Sequence, residues 1–228
     1  MKNYLMILSE LLICLSLLTG IVRKKEENNK EEVLSILIDP GHGGNDNGAV
    51  INDIYEDDIN LDIALRLYEK CVSNNYIVYL TRNGDYDLSS EYSKNHKNED
   101  LRKRVDMVNS LNIDLLISIH LNTYRDAEVN GPMVYYKSND ETSYKFAVKV
   151  QDNLNKLTNN KKNVTEGDYY LLNKTKIPGI LVECGFLTNP KERKLLLNDV
   201  YALFFQAQPS EFPKQAKSLQ FLDGAMHQ

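Results

Sequence analysis

Apolar residues in this chain fall into short blocks that are alternately continuous and periodic. Val33 to Ile38 is a nearly unbroken apolar run closed by Pro40 and Gly41, the pattern of a strand buried on both faces. From Tyr55 to Val72 the pattern changes to helical spacing, with Leu61, Ala64, Leu65 and Tyr68 on one face. Tyr76 to Leu80 predicts a second strand. The polar stretch from Asn83 to Glu99 has no period and reads as a long loop, a kind that is often functional. Asp100 to Ser110 predicts a helix and Ile113 to Ile119 a third buried strand. Met133 to Tyr136 follows Gly131-Pro132 as another strand, and Ser143 to Leu157 is a helix with Phe146, Val150, Leu154 and Leu157 on one side. Tyr169 to Leu172 and Ile180 to Val182 read as further strands. The last clear helix has a strong start signal: Asn189 as N-cap, Pro190 at the first position and Glu192 at the third.

Strands alternating with helices predict an α/β fold, a single domain with a mainly parallel sheet covered by helices on both faces. In such sheets, sites gather beyond the carboxyl ends of the strands. His42, His120 and Glu183 all lie at or just past the end of a predicted strand, so one sheet edge can bring them together.

The amino terminus breaks this alternation. Tyr4 to Val22 is almost entirely apolar, and residues 1–22 read as a signal peptide or signal-anchor. Residues 23–32 form a charged linker with no apolar period. The folded domain is expected over 33–200. Residues 201–228 form an atypical tail in which Pro209 and Pro213 disrupt any long helix.

Charge narrows the function. With 27 basic and 32 acidic side chains the net charge is −5, and no basic stripe offers a footprint for nucleic acid. The run Arg102-Lys103-Arg104 is mixed with Glu99, Asp100 and Asp106 and reads as a solvated helix face. Three cysteines, Cys14, Cys71 and Cys184, make neither a disulfide framework nor a C-x-x-C metal pair. Cys184 reads as a small buried hydrophobe.

Four stretches carry residues able to bind or serve a metal: Asp39-Pro40-Gly41-His42-Gly43-Gly44, Tyr55-Glu56-Asp57-Asp58, Ile119-His120-Leu121-Asn122 and Val182-Glu183-Cys184-Gly185. Two imidazoles and a carboxylate suffice to hold a hydrolytic zinc ion with an open position, and a second carboxylate then handles protons. Each residue also has an ordinary reading. His42 could be incidental to a glycine-rich turn; a phosphate loop there lacks the G-x-x-x-x-G-K-[ST] pattern. His120 could be a satisfied core histidine. Glu56 opens a helix, where the dipole favours any carboxylate, and Asp57 and Asp58 read as solvated acids of the same turn. Asp39 could orient His42 or simply serve a turn. His96 and His227 read as exposed and outside the site. Glu183 ends a run expected to be buried on both faces, where a carboxylate must be paired or bound. It is either half of a buried salt bridge, with Arg104 as partner, or a general base.

Taken together and in order, Ile-Asp-Pro-Gly-His-Gly-Gly, Tyr-Glu-Asp-Asp-Ile-Asn-Leu-Asp-Ile-Ala, Leu-Ile-Ser-Ile-His-Leu-Asn and Leu-Val-Glu-Cys-Gly-Phe-Leu-Thr-Asn-Pro resemble the zinc-dependent N-acetylmuramoyl-L-alanine amidases of bacterial cell walls. The stretches Thr81 to Ser89 and Asp100 to Val105 are similar to those of the germination-specific amidases of spore formers. The resemblance implies Zn2+ held by His42, Glu56 and His120, with Glu183 as the catalytic glutamate. It implies cleavage of the amide between the lactyl group of N-acetylmuramic acid and L-alanine, with Glu183 taking a proton from the attacking water and giving it to the leaving nitrogen. It also implies action in spore cortex maturation with muramic-δ-lactam formation, and outer-sphere or substrate contacts for Ser118 and Asn122.

The expected partners are peptidoglycan, the membrane through the amino-terminal segment and an activator or partner protein. The expected place is outside the cytoplasm, exported or membrane-anchored, with the forespore intermembrane space as one such place. A zinc peptidase acting on wall peptides and an inactive wall-binding protein are the competing readings. The tail from Tyr201 departs from the resemblance, because relatives continue into a further helix there.

Overall fold

The computed structural model describes residues 33–197. The amino-terminal segment, the charged linker, the tail 201–228, Cys14 and His227 lie outside the described residues. Eight strands and five helices are described: β1 (Ser35–Pro40), β2 (Val50–Ile51), β3 (Ile54–Tyr55), α1 (Glu56–Ser73), β4 (Ile77–Leu80), α2 (His96–Ser110), β5 (Leu115–Asn122), β6 (Met133–Lys137), α3 (Glu141–Thr158), β7 (Thr165–Gly167), α4 (Tyr170–Lys174), β8 (Gly179–Phe186) and α5 (Pro190–Leu197).

Six strands form one sheet in the order β4-β1-β5-β8-β6-β7. All neighbours run parallel except β6 and β8, which are antiparallel. Alternation along the strands sends the two sets of side chains to two cores. Ile36, Ile38, Ile117, Ile119, Ile180 and Val182 pack against Ala64 and Leu67 of α1 and Phe146, Val150 and Leu154 of α3. Leu37, Leu116 and Leu181 pack on the opposite face against Val105 and Val108 of α2 and Leu171 and Leu172 of α4. The sheet is therefore covered on both sides, and the central strands read as continuous apolar runs for that reason. A third cluster of Ile59, Leu121, Leu187 and Leu196 seats α5 beyond the strand ends.

Several local expectations need correction. Tyr169 to Leu172 is not a strand: Asn173 N–H donates to the Tyr169 carbonyl (3.0 Å) and Thr175 N–H to that of Leu171 (3.2 Å), closing the short helix α4. A four-residue apolar run cannot be assigned by periodicity alone. Helix α2 begins at His96 rather than Asp100, because the Asn95 side chain accepts the Asn98 N–H and caps it. On α1, Leu67 and Cys71 join Ala64 in the core, whereas Leu61 and Leu65 are only half-buried. Arg104 is not on a solvated face but fully buried.

The β2–β3 hairpin, absent from the pattern reading, matters for the site. Its two-residue turn places Asn52 (φ 53°) and Asp53 (φ 59°) in the left-handed region, as a tight hairpin requires. One bond beyond the turn's ladder, Glu56 N–H donates to the Ala49 carbonyl at 2.9 Å. The hairpin thus delivers Glu56 to a fixed point at the start of α1.

Candidate metal centre

The three central strands carry their chemistry to one edge. β1 ends at Pro40, and His42 follows within two residues. In β5 and β8, His120 and Glu183 stand directly opposite each other across a parallel pair. Glu56 reaches the same place from the first turn of α1. Its Oε1 lies 3.3 Å from His42 Nε2 and 3.2 Å from His120 Nδ1. One ligand atom from each of the three residues falls within 4.8 Å of the others.

The two separations from Glu56 fit a metal's neighbouring ligands. Bonds of about 2.0–2.1 Å at tetrahedral angles put neighbouring ligand atoms about 3.3 Å apart. Two neutral nitrogen donors and one carboxylate suit a borderline-soft divalent ion. The backbone is shaped to let the rings converge. A Cβ on Gly41 would overlap the His120 ring, and one on Gly48 would stand 2.7 Å from Glu56 Oε2 and from His42 Cδ2.

Hydrogen bonds orient each candidate ligand. Asp46 Oδ2 lies 3.0 Å from His42 Nδ1, which leaves Nε2 facing Glu56. Glu56 Oε2 accepts the Ala49 N–H (2.9 Å), and Oε1 accepts the Leu121 N–H (3.1 Å) and an Asn60 Nδ2 hydrogen (3.3 Å). His42 is held in the left-handed region at φ 62°, a conformation costing a non-glycine residue roughly 1–2 kcal/mol. Its carbonyl accepts from Arg104 Nη2 at 2.6 Å.

Charges at the site act strongly on one another. Burial opposes a charge on His42, but the carboxylates of Glu56 and Asp46 outweigh it and raise its pKa to about 8. Burial likewise opposes a charged Glu56, and the His120 and His42 imidazoles overcome it, holding Glu56 well below the usual carboxylate range. Glu183 behaves differently. Burial pushes its carboxyl up to about 7, opposed by His120 and His42 and helped by Glu56. Its Oε2 is buried with no hydrogen-bond partner. A carboxyl with a pKa near neutrality and a free oxygen is suited to taking and returning a proton.

The structure thus gathers His42, Glu56, His120 and Glu183. Other expectations are corrected. Arg104 does not pair with Glu183; it binds Asp39 Oδ1 (2.7 Å) and Asp100 Oδ2 (2.8 Å). Asp39 does not orient His42; it is buried and also accepts from Thr81 Oγ1 and Ser118 Oγ. Ser118 is consequently part of that buried knot, while Asn122 lies past the bulge, its side-chain amide near Met133 Sδ and its carbonyl accepting the Leu187 N–H. Asp57 is buried, not solvated, whereas Asp58 is exposed. His96 is half-buried against Ser89 Oγ (2.6 Å) and is not one of the three clustered donors. Cys184 is half-buried, its thiol directed at the Val182 carbonyl.

Asp46, Asn60, Arg82 and the pair Tyr135 and Tyr169 were not foreseen. The two tyrosine rings meet edge to face at 5.2 Å, and burial followed by the Glu183 charge raises both phenols. Asp46 sits four residues after His42 in an irregular loop, and nothing in the spacing marks it.

Comparison with known proteins gives the family. Residues 36–206 match the N-acetylmuramoyl-L-alanine amidase family. The chain belongs to that family. It is 39% identical over 168 residues to the germination-specific N-acetylmuramoyl-L-alanine amidase of Bacillus subtilis (strain 168), covering 71% of this chain and 70% of that relative. It is 33% identical over 170 residues to N-acetylmuramoyl-L-alanine amidase LytC of the same strain, covering 73% of this chain and 32% of that longer protein. Among solved structures, the CwlD amidase from Clostridioides difficile in complex with the GerS lipoprotein superposes with a TM-score of 0.71 at 36% identity, over 74% of this chain and 90% of that one. The sheet of parallel strands with helices on both faces is the fold of this amidase family.

Proposed function

We propose that the chain is a zinc-dependent peptidoglycan amidase that cleaves the bond between N-acetylmuramic acid and L-alanine. The convergence of His42, Glu56 and His120 beside the unpartnered oxygen of Glu183 carries this reading. His42, Glu56 and His120 hold the ion. When bound, zinc supplies Lewis acidity, polarising the amide carbonyl and making water a nucleophile near neutral pH.

The chain's own residues do the rest. Asp46 keeps His42 Nε2 turned inward, and the Ala49 and Leu121 amides fix the Glu56 carboxylate. The Glu183 carboxylate accepts a proton from the attacking water and delivers it to the L-alanine nitrogen as the C–N bond breaks. The free amine leaves, and the lactyl carboxylate stays on the sugar.

The similarity to a germination-specific amidase supports spore cortex as the substrate and muramic-δ-lactam formation as the outcome. The catalytic domain is assigned to 33–200, exported or membrane-anchored through residues 1–22. Among the described residues no helix is long and apolar enough to cross a membrane. That the similar CwlD amidase is seen with a lipoprotein supports a partner protein here too.

Glu183→Gln in the full chain tests the reading. Zinc content and wall binding are expected to persist while turnover falls at least about 100-fold, the scale of a lost general base. Unchanged activity would remove Glu183 from the mechanism. Zinc and wall binding without turnover in the wild type, on both cortex and vegetative wall, would favour an inactive wall-binding protein.

A further inference from the structure

Arg82 and Arg104 lie directly behind the loop that carries His42, and the proposed chemistry uses neither. Both are fully buried and are among the largest side chains so enclosed. A guanidinium has five hydrogen-bond donors in a fixed planar fork, and when buried it needs acceptors for them. Arg104 finds two carboxylates, Asp39 and Asp100, and also donates to the Pro40 carbonyl (2.8 Å) and the His42 carbonyl (2.6 Å).

Arg82 is different. Its hydrogen bonds all go to backbone carbonyls: Nε to Pro40 (3.1 Å), Nη1 to Gly84 (3.0 Å), and Nη2 to both Gly41 (2.9 Å) and Asp57 (2.8 Å). Gly41 directly precedes His42, and Asp57 directly follows Glu56. One nitrogen therefore ties the loop bearing the first candidate ligand to the helix bearing the second. The turn is built around it, since a Cβ on Gly43 would stand 2.8 Å from Arg82 Nε and 2.9 Å from Cδ.

We propose that Arg82, seconded by Arg104, is a positioning residue for the metal centre: the two guanidiniums hold the carbonyls of Pro40, Gly41 and His42, and Arg82 fixes the spacing between His42 and Glu56. The proposal rests on the reading of those two residues as ligands. A lysine ammonium cannot replace the fork, because its three donors radiate from one point and cannot reach Pro40, Gly41 and Asp57 from one side-chain position. Loss of an outer partner of this kind weakens metal binding by about 10- to 100-fold.

The test compares full-length wild type, Arg82→Lys and a core control, Val108→Ala, which thins the α2 core. Three quantities are read: the melting temperature after chelation, the zinc Kd by competition with a chromophoric chelator, and the visible spectrum of the Co2+-loaded protein. Arg82→Lys is expected to raise the zinc Kd at least about tenfold and to alter the cobalt absorption. Val108→Ala is expected to lower the melting temperature while leaving Kd and spectrum as in the wild type. If Arg82→Lys lowers only the melting temperature, as the control does, Arg82 is merely structural and the proposal is overturned. Should Arg82→Lys not fold, Arg104→Lys is judged by the same criterion, because it withdraws the guanidinium from the His42 carbonyl. A wild type that binds no zinc at all would sink the ligand assignment first, and the clamp with it.

Discussion

Substituting Gly41 by alanine isolates the metal centre with a single methyl group. Gly41 does not have a left-handed backbone, so alanine meets no conformational penalty there. The obstacle is contact alone. The new Cβ would stand 2.6 Å from His120 Nδ1 and closer still to Cε1 and Nε2. Carbon and nitrogen atoms in van der Waals contact lie about 3.5–4.0 Å apart, so the overlap is about 1 Å over most of one ring edge. Strand β1 is pinned to β5 by the Gly41 N–H donating to the Ile119 carbonyl at 2.9 Å, so the backbone cannot back away cheaply. The His120 ring has to swing off Glu56 instead. The fold should lose about 1–3 kcal/mol, the usual cost of overpacking. Zinc affinity should fall by more than the roughly 100-fold upper range for an outer partner, because a direct ligand is displaced. Gly185→Ala is the matched control, since its Cβ meets nothing nearer than 3.5 Å. Both variants are titrated with zinc against a chelator and melted with and without metal. Zinc affinity in Gly41→Ala within threefold of the wild type would refute the placement of His120 in the site.

Zinc binding should depend on pH through His42, which in the metal-free protein holds its proton up to about pH 8. Apparent affinity is expected to rise about tenfold per pH unit below that value and to level off above it, as read by chelator competition from pH 6 to 9. The same shift stabilises the metal-free fold fully below the unfolded-state pKa of about 6.5 and is lost as pH rises through about 8, so its melting temperature should drop across that window. Asp39→Asn leaves Arg104 with one carboxylate instead of two and should cost about 3 kcal/mol or more in urea denaturation, on the scale of a broken buried pair. Burial opposes a charge on Asp39, but Arg104 and the Ser118 and Thr81 hydroxyls hold it below its ordinary value, so its contribution is present above about pH 4 and disappears as pH falls through the folded-state value. The acid-induced loss of stability should therefore be shallower in Asp39→Asn than in the wild type.

The parts of the fold visible in the sequence are those where burial is one-sided or complete. Val33 to Ile38, Ile113 to Ile119 and Ile180 to Val182 are apolar on both pleats because helices cover both faces, and that composition announces a central strand. What the pattern concealed is set by single hydrogen bonds or by a few backbone angles. The Asn95 cap, the Asn52-Asp53 turn and the short α4 have no periodicity to detect. The candidate ligands were visible because a histidine or glutamate at a strand end is chemically unusual. Arg104 was hidden for the opposite reason: an arginine among acidic neighbours looks solvated, and only the packed loop shows that its charge faces inward onto carbonyls, as that of Arg82 does. Asp46, which no pattern marks, takes the place beside His42 that Asp39 could have held, because proximity in sequence to His42 says nothing about which carboxylate its Nδ1 faces.

The central claim is metal-dependent cleavage of one amide in peptidoglycan. It is tested most directly by incubating the purified full-length chain, with its zinc content measured, on cortex and on vegetative wall, followed by mass spectrometry of the soluble products. The account predicts stem peptides with a free L-alanine amino terminus, abolished by a chelator and restored by zinc. Peptides cut within the stem, or release that survives chelation, would contradict it.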